Sequence, residues 1–109
     1  MYPVINLLFR DKQMDILVTY DVNTGTKEGR RRLRKVATVC KDYGQRVQLS
    51  VFECRVSDSQ YETLRDRLTK TIDPALDSIR VYRLPAPREE HLFCFGMDGY
   101  TDFDKPLIL

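Results

Sequence analysis

From Met14 to Val22 the chain reads Met-Asp-Ile-Leu-Val-Thr-Tyr-Asp-Val, dense in β-branched and aromatic residues, which predicts a buried first strand. Asn23-Thr24-Gly25-Thr26 supplies turn residues, with Thr26 placed as an N-cap. Over residues 27–43 the period changes. Leu33, Val36, Ala37 and Cys40 recur at helical spacing with Tyr43 flanking, and Gly44 is placed to end the helix as its C′ residue. From Arg46 to Val56 the apolar positions alternate as Val47, Leu49, Val51 and then change phase to Phe52, Cys54, Val56. One regular strand cannot do this, because a one-residue slip turns every side chain to the other face. A bulge or a sharp turn between two strands is therefore expected near Ser50–Phe52.

Ser57-Asp58-Ser59-Gln60 has the spacing of a capping box, and Tyr61, Leu64, Leu68 and Ile72 form the apolar stripe of a second helix that Asp73-Pro74 should end. Residues 78–84 predict a further strand. Pro85-Ala86-Pro87 is a stiff connector, and His91 to Phe95 is expected to form a short last strand. The order strand, helix, strand, strand, helix, strand predicts an α+β domain, a ferredoxin-like βαββαβ fold with an extra C-terminal strand. Both helices should cover one face of an antiparallel sheet. Because the strands carry apolar residues in both phases, the second face calls for a partner, and a sheet-to-sheet homodimer is the simplest.

At 109 residues, 42% of them hydrophobic, the chain is one domain's worth of sequence. Residues 14–96 hold the folded part. Residues 97–109 read as a loose tail, and residues 1–13, which end just before a start-like Met, read as an upstream extension. No apolar run approaches the ~18 residues that a membrane span needs. Cys40, Cys54 and Cys94 are widely spaced without a CxxC or CxxH pair, which argues against zinc and for a reduced, cytoplasmic setting; Cys40 reads as a small core residue. The single His91 excludes a paired-histidine site within one chain.

The net charge of +2 conceals an uneven distribution. Residues 14–57 carry nine basic and five acidic side chains, and residues 58–109 carry seven basic and ten acidic. On the first helix, the face opposite the apolar stripe collects Lys27, Arg31, Arg34 and Lys35, with Arg30, Arg32 and Lys41 at its borders. Such a face is either a solvated helix surface or a contact for a polyanion. Guanidinium forks at Arg31 and Arg34 suit phosphate, as does Arg46 at the start of the second strand. Asp21, at the end of the first strand, could present its carboxylate at an open sheet edge or cap the turn that follows. Tyr20 should face away from Asp21. Glu53 could be a carboxylate that supports a metal ligand from behind or a solvated strand residue, and the solvated reading is preferred.

Taken together, Tyr20-Asp21-Val22, Leu33-Arg34-Lys35-Val36-Ala37, the run Tyr43-Gly44-Gln45-Arg46-Val47-Gln48-Leu49-Ser50-Val51-Phe52-Glu53 and Ile79-Arg80-Val81-Tyr82-Arg83-Leu84 resemble the CRISPR-associated protein two family over Met14 to about Phe95. The resemblance implies a ferredoxin-like domain that dimerises sheet to sheet. It implies a magnesium-dependent nuclease acting on single-stranded RNA or double-stranded DNA, with Asp21 as the catalytic, metal-binding residue shared across a two-fold axis. Arg31, Arg34 and Arg46 would contact nucleic acid, and Tyr20, Ser50 and Phe52 would neighbour the active site. It further implies a place in the spacer-acquisition complex beside the integrase subunits. The alternative is a non-catalytic scaffold that binds duplex DNA and the integrase.

Overall fold

The computed structural model describes residues 12–97, so nearly all of the expected extension and tail lies outside the described residues. Six elements follow in the anticipated order: β1 (Met14–Asp21), α1 (Lys27–Lys41), β2 (Gly44–Gln48), β3 (Val51–Val56), α2 (Asp58–Thr71) and β4 (Ser78–Arg83). The strands form one sheet in the order β2-β3-β1-β4, and every neighbouring pair is antiparallel.

Alternation along β1 decides the layering. Ile16 pairs with Cys54 and Val18 with Phe52, so these side chains share a face with Tyr20 and Val56. That face meets Val36, Val39 and Cys40 of α1 and Leu64 and Leu68 of α2 in a single core. Each large aliphatic buried there contributes about 1.5–3 kcal/mol relative to exposure. Val39 lies outside the expected stripe but is buried, which widens the apolar face of α1.

The phase change between β2 and β3 is achieved by both devices at once. Gln48 pairs with Val51 across a two-residue connection, Leu49-Ser50, and the register shifts between Arg46 and Gln48. The extra residue in the shift is Val47, a bulge that turns the strand's facing. Gly44 does not play the expected role of C′ residue. It has no positive φ and opens β2 instead. Its small size is needed for packing, because a Cβ there would overlap the Glu53 carbonyl and crowd Cys54.

Local caps match the sequence reading. The Thr26 side chain accepts from the Gly29 N–H at 3.0 Å. Ser57 Oγ accepts from the Gln60 N–H at 3.2 Å, while the Gln60 side chain accepts from the Ser57 N–H at 2.8 Å. Losing that reciprocal pair in Ser57→Ala should lower stability by about 1 kcal/mol in chemical denaturation. An unchanged midpoint would show that the box contributes nothing.

The expected strand at His91–Phe95 does not form within the single chain. Arg88–His91 is a 3-10 turn, and Leu92–Phe95 runs without strand pairing. The reason lies in Arg88, whose side chain is buried on the helix-free face of the sheet, 3.5 Å from Glu53. This turns the chain across the face rather than along the edge of β4. Leu92 to Phe95 and Met97 instead border a cleft with Val47, Gln48 and Glu53. Glu53 is accordingly buried and paired, not solvated. Arg55 bridges Asp15 at 2.9 Å and Glu89 at 3.0 Å on the same face. A buried ion pair adds little net stability, but it fixes where this segment lies. Among the described residues, no helix is long and apolar enough to cross a membrane.

Candidate active site at the Asp21 sheet edge

Three chain segments converge where β1 ends. Asp21 pairs with Ser78 at the start of β4, and the Tyr20 N–H donates to the Ser50 carbonyl of the β2–β3 connection at 3.1 Å. Alternation sends the two neighbouring side chains apart as expected. Tyr20 is buried against the core, and Asp21 is exposed. The turn-capping alternative for Asp21 is not realised, because Asn23 makes that turn by accepting the Gly25 N–H at 2.9 Å. Among the described residues, the Asp21 carboxylate has no hydrogen-bond or ion-pair partner. It is thus an oxygen donor held on a central strand with its face to solvent.

Behind it, on the helix side of the sheet, Tyr20, Phe52 and Arg46 form a stack. The Tyr20 and Phe52 rings lie 6.2 Å apart, and the Arg46 guanidinium sits 5.2 Å from the Phe52 centroid. Phe52 is wholly enclosed, so its contribution is packing. Burial pushes the Tyr20 hydroxyl above its ordinary value, and the Arg46 guanidinium offsets part of that. The hydroxyl also donates to the Leu49 carbonyl at 3.3 Å, which ties the hairpin connection to β1. Tyr20, Ser50 and Phe52 therefore support the Asp21 edge from behind and beside it. Burial likewise pushes the thiols of Cys40 and Cys54 up, to about 11 and about 12, which makes both inert core residues.

Arg31 and Arg34 are exposed on α1 together with Lys27 and Lys35. Arg32 is different. Its Nε lies 2.7 Å from an Asp77 carboxylate oxygen, so this cation is taken up by an ion pair. Sequence reading passed over Asp77, which organises the loops at this end of the sheet. Its buried carboxylate accepts the Arg32 guanidinium, the Asn23 N–H at 3.0 Å and the Asp73 N–H at 2.9 Å. The only local signal was its position between Asp73-Pro74 and β4.

The Arg32 guanidinium beside it holds the Asp77 carboxyl at about 2, below its ordinary 3.8. A depressed folded value means that this group stabilises the fold above its unfolded pKa and loses the effect as pH falls toward 2. Asp77→Ala should therefore be less stable than the wild type at pH 6, with the gap narrowing between about pH 4 and pH 2. Urea denaturation across that range measures it. A constant gap would show that the carboxylate's charge is not what matters.

Among the described residues, no three His, Cys, Asp or Glu side chains gather as a metal cage. The profile of the family described as CRISPR associated protein Cas2 matches residues 14–91, which include every strand and both helices. The chain belongs to the Cas2 family. It is 54% identical over 96 residues to the CRISPR-associated endoribonuclease Cas2 1 of Moorella thermoacetica, covering 88% of this chain and all of that protein. It is 46% identical over 95 residues to the CRISPR-associated endonuclease Cas2 of Halalkalibacterium halodurans, covering 87% of this chain and 99% of the relative. The crystal structure of Streptococcus pyogenes Cas2 at pH 6.5 superposes with a TM-score of 0.70 at 52% identity, over 76% of this chain and all of the other. The Cas2 match contains Asp21, Arg31, Arg34, Arg46, Ser50 and Phe52.

Proposed function

We propose that this protein is a magnesium-dependent endonuclease of the CRISPR adaptation system, working as a homodimer in which two Asp21 carboxylates face one another. The observation that carries this reading is Asp21, exposed at the end of a central strand and, among the described residues, without a side-chain partner. The names of the relatives, endoribonuclease and endonuclease, support it. Exposed Phe93, Phe95 and Met97 and the Leu49 hairpin tip support a partner surface, since solitary soluble domains rarely leave such a concentration uncovered.

The donor chemistry of the edge fits magnesium. That ion prefers carboxylate oxygen, keeps several waters and needs only one or two protein carboxylates, so an Asp21 pair suffices without a three-residue cage. When bound, such an ion lowers the pKa of water and offsets charge on the phosphate. The chain's own residues do the rest. β1 holds each Asp21 at a fixed height through its pairing with Ser78. Arg31 and Arg34 attract the backbone of RNA or DNA and set its path, while Arg46 remains over the Phe52 ring and steadies the hairpin.

The experiment is cleavage of defined single-stranded RNA and duplex DNA with and without magnesium, comparing wild type with Asp21→Ala. Metal-dependent cleavage by the wild type alone is expected; equal cleavage by both would place the activity elsewhere. Nucleic-acid affinity should also fall steeply with salt. Arg31→Ala/Arg34→Ala should flatten that slope by about 1–2, because each phosphate contact contributes nearly one released counterion. An unchanged slope would remove α1 from the interface.

A second reading, a scaffold that binds duplex DNA and an integrase subunit without hydrolysis, is favoured by the exposed Arg31 and Arg34 of α1 together with the exposed apolar segment. It predicts that Asp21→Ala retains spacer acquisition while loss of residues 85–109 or of the helix arginines abolishes it.

A further inference from the structure

We propose that Asp77 and Gly29 are positioning residues that clamp the chain just past Asp21 and thereby fix its carboxylate; this rests on the reading of Asp21 as the catalytic residue. The clamp closes on Asn23, two residues beyond Asp21, from two sides. Across the loop, the fully buried Asp77 carboxylate accepts the Asn23 N–H at 3.0 Å. Beneath it, the first turn of α1 approaches so closely that a Cβ on Gly29 would overlap the Asn23 carbonyl. The intervening Val22 is buried in the core, and the Asn23 side chain closes its own turn onto Gly25.

One jaw thus hydrogen-bonds the Asn23 N–H, and the other packs closely against its carbonyl. A strand end with nothing beyond it frays. Here the last β1 residue is held from both directions, by Ser78 across the sheet and by Asn23 along the chain. The arrangement matters for chemistry because a catalytic group displaced by about 1 Å can cost on the order of a hundredfold in rate. Arg32 shares the Asp77 carboxylate but does not touch Asn23, so stability and positioning can be separated.

The test compares Asp77→Ala, Gly29→Ala, Arg32→Gln and Asp21→Ala with the wild type. Three quantities are read: thermal stability, kcat and KM for magnesium-dependent cleavage of a single-stranded RNA oligonucleotide, and the Asp21 amide resonance of the metal-free protein. Asp77→Ala and Gly29→Ala should lower kcat at least tenfold, leave KM within twofold and move the Asp21 resonance. Arg32→Gln should lower stability comparably to Asp77→Ala yet keep kcat within twofold and the resonance in place, because the Asn23 bond survives. If Asp77→Ala does not fold, Gly29→Ala, which leaves the Asp77 carboxylate and its ion pair in place, carries the comparison with Arg32→Gln.

The inference is overturned if kcat simply follows stability across the variants, with Arg32→Gln falling as far as Asp77→Ala. It is also overturned if the folded clamp variants retain wild-type kcat while Asp21→Ala loses it. Wild-type cleavage by Asp21→Ala would instead overturn the reading of Asp21 itself.

Discussion

Alanine at Asp21 is expected to reduce magnesium-dependent cleavage on the order of a hundredfold to a thousandfold, the scale seen when a single preorganised stabiliser of transition-state charge is removed. The fold should not register the change. Asp21 is exposed and, among the described residues, makes no side-chain hydrogen bond or ion pair, so stability should move by less than about 0.5 kcal/mol. This pairing of a large kinetic effect with an unchanged melting temperature separates Asp21 from the residues behind it. Nucleic-acid binding should also survive, since the arginines of α1 remain. Steady-state cleavage, thermal melting and a binding isotherm on the same preparation measure all three. A cleavage loss accompanied by an equal loss of stability would recast Asp21 as a structural residue.

Phe52→Ala should behave in the opposite way. Its ring is fully enclosed between β1 and the helices, stacked on Tyr20 and capped by the Arg46 guanidinium. Removing it opens a cavity and costs about 3–5 kcal/mol. Against a total of about 5–15 kcal/mol for a domain of this kind, that is enough to leave the protein partly unfolded at moderate temperature. Phe52→Leu, which refills much of the volume, should recover most of the loss. Phe52 lies on the face of the sheet opposite Asp21, so cleavage in Phe52→Ala should fall only as far as the folded fraction falls. Denaturant melts with parallel activity assays test this. Full stability in Phe52→Ala would show that the ring is not a core element.

The elements that could be read from the sequence share one property: their determinants are local. The period of two in β1, the helical spacing of Val36, Ala37 and Cys40, and the Ser57–Gln60 box each lie within a few residues. The phase change at Ser50–Phe52 announced a reversal for the same reason. What could not be read depends on partners distant in sequence. Glu53 looks like an ordinary outward strand residue until Arg88, 35 positions later, is folded onto it. Asp77 looks like loop polarity until Arg32 and Asn23 meet it, separated by 45 and 54 positions. Gly44 reads locally as a helix-ending glycine, whereas its actual constraint is the backbone of a neighbouring strand.

The candidate site divides along the same line. Asp21 was legible because strand alternation fixes its facing, and Arg31 and Arg34 because helical periodicity fixes theirs. That Tyr20, Phe52 and Arg46 stack together on the far side of the sheet from Asp21 follows from the pairing of Arg46 with Phe52 across the β2–β3 bulge, a register that composition does not reveal.

Two Asp21 carboxylates, one from each of two copies, are proposed to share a single divalent cation. Titration of the protein with manganese, with the free ion followed by electron paramagnetic resonance and the oligomeric state by sedimentation, tests this directly. A dimer that binds one ion tightly per two chains, and that loses this binding in Asp21→Ala, is expected. A monomer, or tight binding that Asp21→Ala leaves unchanged, would contradict it.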